Sequence, residues 1–179
     1  NGNASFKIAS DQLVTLAEPY NFVQRMSQSH RFSYRQGING PIWVIIAVNT
    51  GQYDLIPEAE LVKAGITIAN NDNANTVGQM IDYILAREIT TTQNEVGGWA
   101  LTGNKPDADI TGMALQAFAP YYLDEQKFKT TNSQATYEEF KKAVERGIVT
   151  LKRLQKANGG FDSWGTINSE STVQVIVAL

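Results

Sequence analysis

Apolar positions recur at helical spacing in two distinct ways along this chain. Between residues 137 and 156, Phe140, Val144, Ile148, Leu151 and Leu154 fall three or four apart, with Glu138, Lys142, Glu145, Arg146 and Lys152 on the other side. That spacing predicts a helix with one wet face. Thr136 and Glu139 have the form of a capping box at its start, and Asn158-Gly159-Gly160 supplies its stop. Residues 42–48, 110–118 and 172–179 are instead apolar nearly all round, which predicts three buried helices. One-sided helices alternating with all-round apolar ones, joined by short Gly-rich turns, predict an all-α architecture of two concentric layers, an inner and an outer ring. Strand signals are almost absent. Residues 51–75, interrupted by Pro57, Gly65 and Asn70-Asn71-Asp72-Asn73, read as loop with one short helix, and residues 120–134 as a connector.

A second periodicity lies above the helical one. Gln93-Asn94-Glu95-Val96-Gly97-Gly98-Trp99 returns as Gln155-Lys156-Ala157-Asn158-Gly159-Gly160-Phe161, 62 residues on (155 − 93 = 62). Each copy precedes an acidic helix start rich in small residues. An internal repeat of this length implies units whose apolar faces only their neighbours can cover. The chain therefore reads as a single domain over residues 1–179, with repeat units at 93–118 and 155–179 and a degenerate earlier unit at 36–50.

Composition narrows the function classes. The chain is 42% hydrophobic and 18% charged with a formal net charge of −3, and no run of Lys or Arg offers a polyanion surface, so nucleic acid is a poor partner. It has no cysteine, which removes disulfides, thiolate catalysis and Cys-ligated zinc together. Nothing in it calls for a cofactor, a metal or membrane insertion. The start, Asn1-Gly2-Asn3-Ala4-Ser5, has the character of a cut end. The run from Glu170 to Leu179 carries no helix stop signal, so the chain is expected to be a piece of a longer protein. An open, truncated face of that kind would favour a homodimer.

The motif Gln-x-x-x-Gly-x-Trp/Phe, at Gln93/Gly97/Trp99 and Gln155/Gly159/Phe161, resembles the repeat of terpenoid cyclases and protein prenyltransferases, whose fold is an α/α toroid. The wider order of segments looks closer to the prenyltransferase-like toroid domains of bacterial cell-surface proteins. These segments are Asn39-Gly40-Pro41-Ile42-Trp43, residues 80–85, Gly97-Gly98-Trp99-Ala100-Leu101, Asp107-Ala108-Asp109-Ile110-Thr111, Ser163-Trp164-Gly165-Thr166 and Asn168-Ser169-Glu170-Ser171-Thr172. The resemblance covers about residues 35–179. It implies an extracellular or wall-attached location and an α/α toroid, here incomplete.

Each candidate for chemistry has a structural alternative. In the repeat motif, Gly97, Gly98, Gly159 and Gly160 suit helix ends, Gln93 and Gln155 can satisfy orphan backbone groups, and Trp99 or Phe161 can fill the gap between outer helices. Cyclases of the resembled superfamily protonate their substrate with an Asp-x-Asp-Asp segment. Asp107-Ala108-Asp109 matches it except at Ile110, which removes one of the two adjacent carboxylates and much of the coupling that raises a donor's pKa. Asp107 can equally be a helix cap with Asp109 in the first turn, and Asn168 and Glu170 stand in the same places one repeat on (168 − 107 = 61). Alternatively these helix starts ring a cavity mouth and hold a ligand. The single histidine, His30, lies in no metal-ligand spacing and beside no nucleophile elbow. The reading is a non-catalytic module that binds a small apolar ligand or a surface partner through Asp107, Asp109, Asn168, Glu170, Trp43, Trp99 and Trp164. The alternative is a cyclase or prenyltransferase completed by segments outside these residues.

Overall fold

The computed structural model describes residues 37–51, 76–91, 96–163 and 165–179, together with the backbone of 5–7 and 13–15. The candidates Gln93 and Trp164, the lone His30 and nearly all of the 51–75 segment lie outside the described residues.

Among the described residues the protein is mostly helical. In chain order the elements are β1 (Ser5–Lys7), β2 (Leu13–Thr15), α1 (Asn39–Asn49), α2 (Val77–Leu85), α3 (Ala108–Tyr122), α4 (Glu125–Thr130), α5 (Tyr137–Leu154), β3 (Phe161–Ser163), β4 (Thr166–Asn168) and α6 (Ser169–Ala178). The strands form two antiparallel hairpins, β1 with β2 and β3 with β4. In the second hairpin Phe161 faces Asn168 and Ser163 faces Thr166.

The three apolar helices form a row in which α3 contacts α1 and α6, while α2 packs on α1 and α5 packs on α3. The core follows from that arrangement. Ile42, Ile45, Met80, Ile81, Ile84, Trp99, Ala114, Ala117, Phe118 and Phe140 are completely buried. Trp99, Phe118 and Phe140 form a chain of edge-on rings, with centroids 5.7 and 5.1 Å apart. Phe128 of α4 stacks on Phe140 at 4.6 Å.

The wet-faced helix α5 begins with the complete capping box: the Thr136 hydroxyl accepts from Glu139 N at 3.2 Å, and Glu139 accepts from Thr136 N at 2.8 Å. Its buried stripe is Phe140, Ala143, Val144, Gly147, Thr150 and Leu151, so Ile148 turns outward instead of joining it. The reason is Gly147. A Cβ there would stand 3.0 Å from the Trp99 ring and 3.1 Å from Leu115, so the helix leans in along that side and rotates Ile148 away.

Three further expectations are revised. The 120–134 connector is more ordered than its sequence indicates: α3 runs through Pro120 to Tyr122, and α4 follows, capped by Asp124 accepting from Lys127 N at 3.0 Å and anchored by buried Phe128. The all-round apolar segments at 42–48 and 172–179 are not fully buried. Trp43 on α1 is exposed, and α6 buries Ser171 and Val175 while Val173, Ile176, Val177 and Leu179 face outward. The second repeat unit also contains a short hairpin, β3–β4, where strand signals were almost absent.

Candidate functional site: the cleft at the start of α3

The repeat motif is a device for fastening a loop to two helices. Gly97 and Gly98 have φ of 99° and 78°, and a Cβ on Gly97 would lie 2.8 Å from Arg146 O. Glycine is needed there both for the left-handed backbone and for the close approach to α5. The next residue, Trp99, is fully buried and its Nε1 donates to Ile84 O at 2.8 Å, a carbonyl in the last turn of α2 that also accepts from Arg87 N at 3.0 Å. Trp99 N donates to the Thr111 hydroxyl at 3.0 Å, and that hydroxyl donates back to Trp99 O at 3.1 Å.

The second copy repeats the bond from the aromatic residue's N–H but turns the hydroxyl's own donation to the cap residue. Phe161 N donates to the Thr172 hydroxyl at 3.1 Å, and Thr172 donates to Asn168 O at 2.9 Å. Gly159 has φ 84°, and Gln155 Nε2 donates to Gly159 O at 3.0 Å, closing its own loop. Asp107 Oδ1 accepts from Ile110 N at 3.0 Å to cap α3, and Asn168 Oδ1 accepts from Ser171 N at 2.8 Å to cap α6.

A cleft of about 710 Å3 opens beside the first cap. Leu101, Pro106 and Leu154 give it an apolar wall, and Lys105, Asp107, Asp109, Lys156, Asp162 and Ser163 a polar one. Four of the polar groups are committed in two pairs. Lys156 Nζ pairs with Asp162 Oδ1 at 2.7 Å, and Ser163 Oγ donates to Asp107 Oδ2 at 3.3 Å. Asp109 is the exception: its Oδ1 is buried without a hydrogen-bond partner, as is the Ser171 hydroxyl on α6. Burial pushes the Asp109 carboxyl above its ordinary value of 3.8. The neighbouring Ser171 hydroxyl opposes the rise without reaching hydrogen-bond geometry, Asp107 adds to it by like charge, Ser163 opposes it and Glu170 adds to it.

The cleft thus gathers Asp107 and Asp109 and leaves the other described candidates outside its lining. Asn168 serves as a cap, and Glu170 is exposed but close enough to act on Asp109 through space. Trp43 is on the surface of α1, and Trp99 is a core residue with its polar edge satisfied. Sequence reasoning missed Leu101, Lys156, Asp162 and Ser163, which stand in loop and hairpin positions without periodic signal. It also passed over Thr111 and Thr172, although each stands four residues after a cap in both copies and was there to be found. The arrangement can grip a ligand by hydrogen bonds and charge at one wall and by apolar contact at the other. Among the described residues no group of His, Asp or Glu is placed to hold a metal, and no helix is long and apolar enough to cross a membrane. Comparison with protein-family models, with curated proteins and with solved structures found no match.

Proposed function

We propose that this chain is an α/α-toroid module of a secreted or cell-surface bacterial protein, and that it binds a small, largely apolar ligand in the cleft at the start of α3 without transforming it. The observation that carries this reading is the cleft itself. Its volume of about 710 Å3 falls in the range of small-molecule sites, which combine an apolar lining with a few fixed polar groups. Its polar wall holds three carboxylates, from Asp107, Asp109 and Asp162, against two ammonium groups, of which Lys156 is already paired and Lys105 is exposed. A ligand head that donates hydrogen bonds fits that wall better than a dianion does. The repeat motif and the two-layer packing of α1, α3 and α6 with α2 and α5 support the toroid and, through the resemblance, the location.

The test is native mass spectrometry with three molecules that share one fifteen-carbon isoprenoid tail: farnesol, farnesylamine and farnesyl diphosphate. The alcohol or the amine is expected to bind saturably and better than the diphosphate, with at least roughly tenfold weakening, ~1.4 kcal/mol, in Leu101→Glu. No bound mass with any of the three, or binding that Leu101→Glu leaves unchanged, would overturn the reading.

One observation favours a second reading, an acid-initiated cyclase. The raised carboxyl of Asp109 stands at the cleft, as a proton donor would. In that case incubation with squalene would yield cyclic product, and Asp109→Asn would abolish it. An Asp109→Asn protein that still bound farnesol, with no product from either form, would leave binding as the function.

A further inference from the structure

The second copy of the repeat motif departs from the first at one position that carries chemistry. Where the first copy has Val96 before Gly97, the second has Asn158 before Gly159, 62 residues on (158 − 96 = 62). An asparagine amide followed by glycine is open to attack by the glycine's own backbone nitrogen, because no Cβ on that residue blocks the approach. The chain holds three such pairs, Asn1-Gly2, Asn39-Gly40 and Asn158-Gly159, and the first lies outside the described residues.

The other two have opposite surroundings. Asn39 is the first residue of α1, and its Oδ1 is buried. Closing a ring onto Gly40 N would pull Asn39 out of the helix and disturb Ile38 and Ile42, which flank the pair in the core. Asn158 and Gly159 instead are exposed and stand in a turn. Gly159 has φ 84° and no described atom within 4 Å of its Cβ direction, whereas a Cβ on Gly97 in the first copy would meet Arg146 O at 2.8 Å. The peptide between Asn158 and Gly159 therefore has room to turn. Asn158 Oδ1 also accepts from Gly160 N at 3.1 Å. That donor sits where negative charge collects on the amide oxygen when its carbon is attacked, as an oxyanion-hole donor does. The turn is closed by Gly159 N donating to Lys156 O at 2.8 Å and Lys156 N donating to Gly160 O at 2.9 Å. Bonds across an exposed turn open locally, without unfolding the domain.

We propose that Asn158-Gly159 is a site of spontaneous covalent modification, at which Asn158 loses its amide and gains a carboxylate. Gly159 N gives its proton to hydroxide and bonds to Asn158 Cγ. The Cγ–Nδ2 bond breaks, and Nδ2 leaves as ammonia with a proton taken from water, which restores the hydroxide and leaves a five-membered imide. Water then adds to one of the two imide carbonyls, and the C–N bond there breaks. Opening at Cγ gives an aspartate at position 158; opening at the backbone carbonyl carbon routes the chain through the side chain, as isoaspartate. The sum is one water taken up and one ammonia released, with no oxidation or reduction. Either product puts a negative charge two residues from Lys156, whose Nζ pairs with Asp162 at 2.7 Å in the cleft wall. The isoaspartate also lengthens the backbone by one carbon beside the Gln155 Nε2 bond to Gly159 O and the buried Phe161 ring, which fix this loop.

The test is to hold the folded protein, and in parallel the chain unfolded in urea, at physiological temperature and mildly alkaline pH, and to follow peptides by mass spectrometry over several days. In the folded protein the peptide carrying Asn158 should gain about 1 Da, part of it with the backbone fragmentation of isoaspartate. Its rate should lie within about tenfold of the rate in urea, and Asn39 should convert in urea alone. Asn158→Gln, whose longer side chain closes the larger ring poorly, should hold its mass; the position is exposed, so this variant keeps the fold. An Asn158 that converts in urea and is protected by more than about tenfold in the folded protein overturns the proposal. Conversion of Asn39 and Asn158 at equal rates in the folded protein, or a mass gain in this peptide that persists in Asn158→Gln, overturns it as well.

Discussion

At the scale of single residues, Thr111 and Asp109 show how one helix start holds a structural and a candidate functional group side by side. Thr111 is completely buried, and its hydroxyl serves both Trp99 N and Trp99 O. Thr111→Val keeps the shape and strands a buried N–H, so it should lower stability by about 2 kcal/mol in denaturant unfolding. Asp109 works in the opposite sense. Its carboxyl is raised in the folded protein above its value of 3.8, so the folded state binds more protons than the unfolded state above that value. Stability therefore falls as pH rises from that ordinary value toward the raised one, and the full cost of ionising Asp109 is present above it. Asp109→Asn should raise the thermal midpoint at pH 7, and the advantage should shrink as pH falls toward about 4; an equal shift at both pH values would contradict the burial argument. The cap role of Asp107 could be read from its place before an apolar run. The raised carboxyl two residues later could not, because it comes first from burial in the packed structure, with Ser171 and Ser163 opposing the rise and Glu170 adding to it from α6 and its hairpin.

At the scale of elements, α5 was the most legible and α6 the least. The Thr136–Glu139 capping box needs only local sequence, and Thr136→Ala should cost about 1 kcal/mol, measurable by chemical denaturation. The tertiary anchor of α5 was hidden. Arg146 donates through Nε and Nη2 to both oxygens of Glu88 at 2.6 and 2.7 Å, and the Glu88 side chain is only 6% exposed. Arg146→Ala strands that carboxylate and should lower stability by about 2 kcal/mol, whereas Lys129→Ala, which breaks the exposed 2.7 Å pair with Glu125, should cost under about 0.5 kcal/mol. The helix at 125–130 escaped notice because it is short and its one strong anchor, Phe128, has its partner Phe140 twelve residues away. The apolar run of α6 looked buried because hydrophobicity records what a face can cover, not what covers it in this chain.

At the scale of the whole molecule, hydrophobic periodicity and the 62-residue motif were enough to determine helical content, the alternation of one-sided with apolar helices, and the positions of both caps. These features are local or repeat themselves, so a linear reading contains them. Folding decided which faces meet: α3 lies between α1 and α6, Gly147 draws α5 onto Trp99, and loop 101–106 comes together with Asp162, Ser163, Gly165, Asp107 and Asp109 to make the cleft. Asp162 and Lys156 have no signal along the chain because their partnership and their place beside Asp107 come from the hairpin's register and the packing of α6 on α3. A cleft, a shifted carboxyl and an open apolar face are all properties of distances between residues far apart in sequence, and only the packed structure sets those distances.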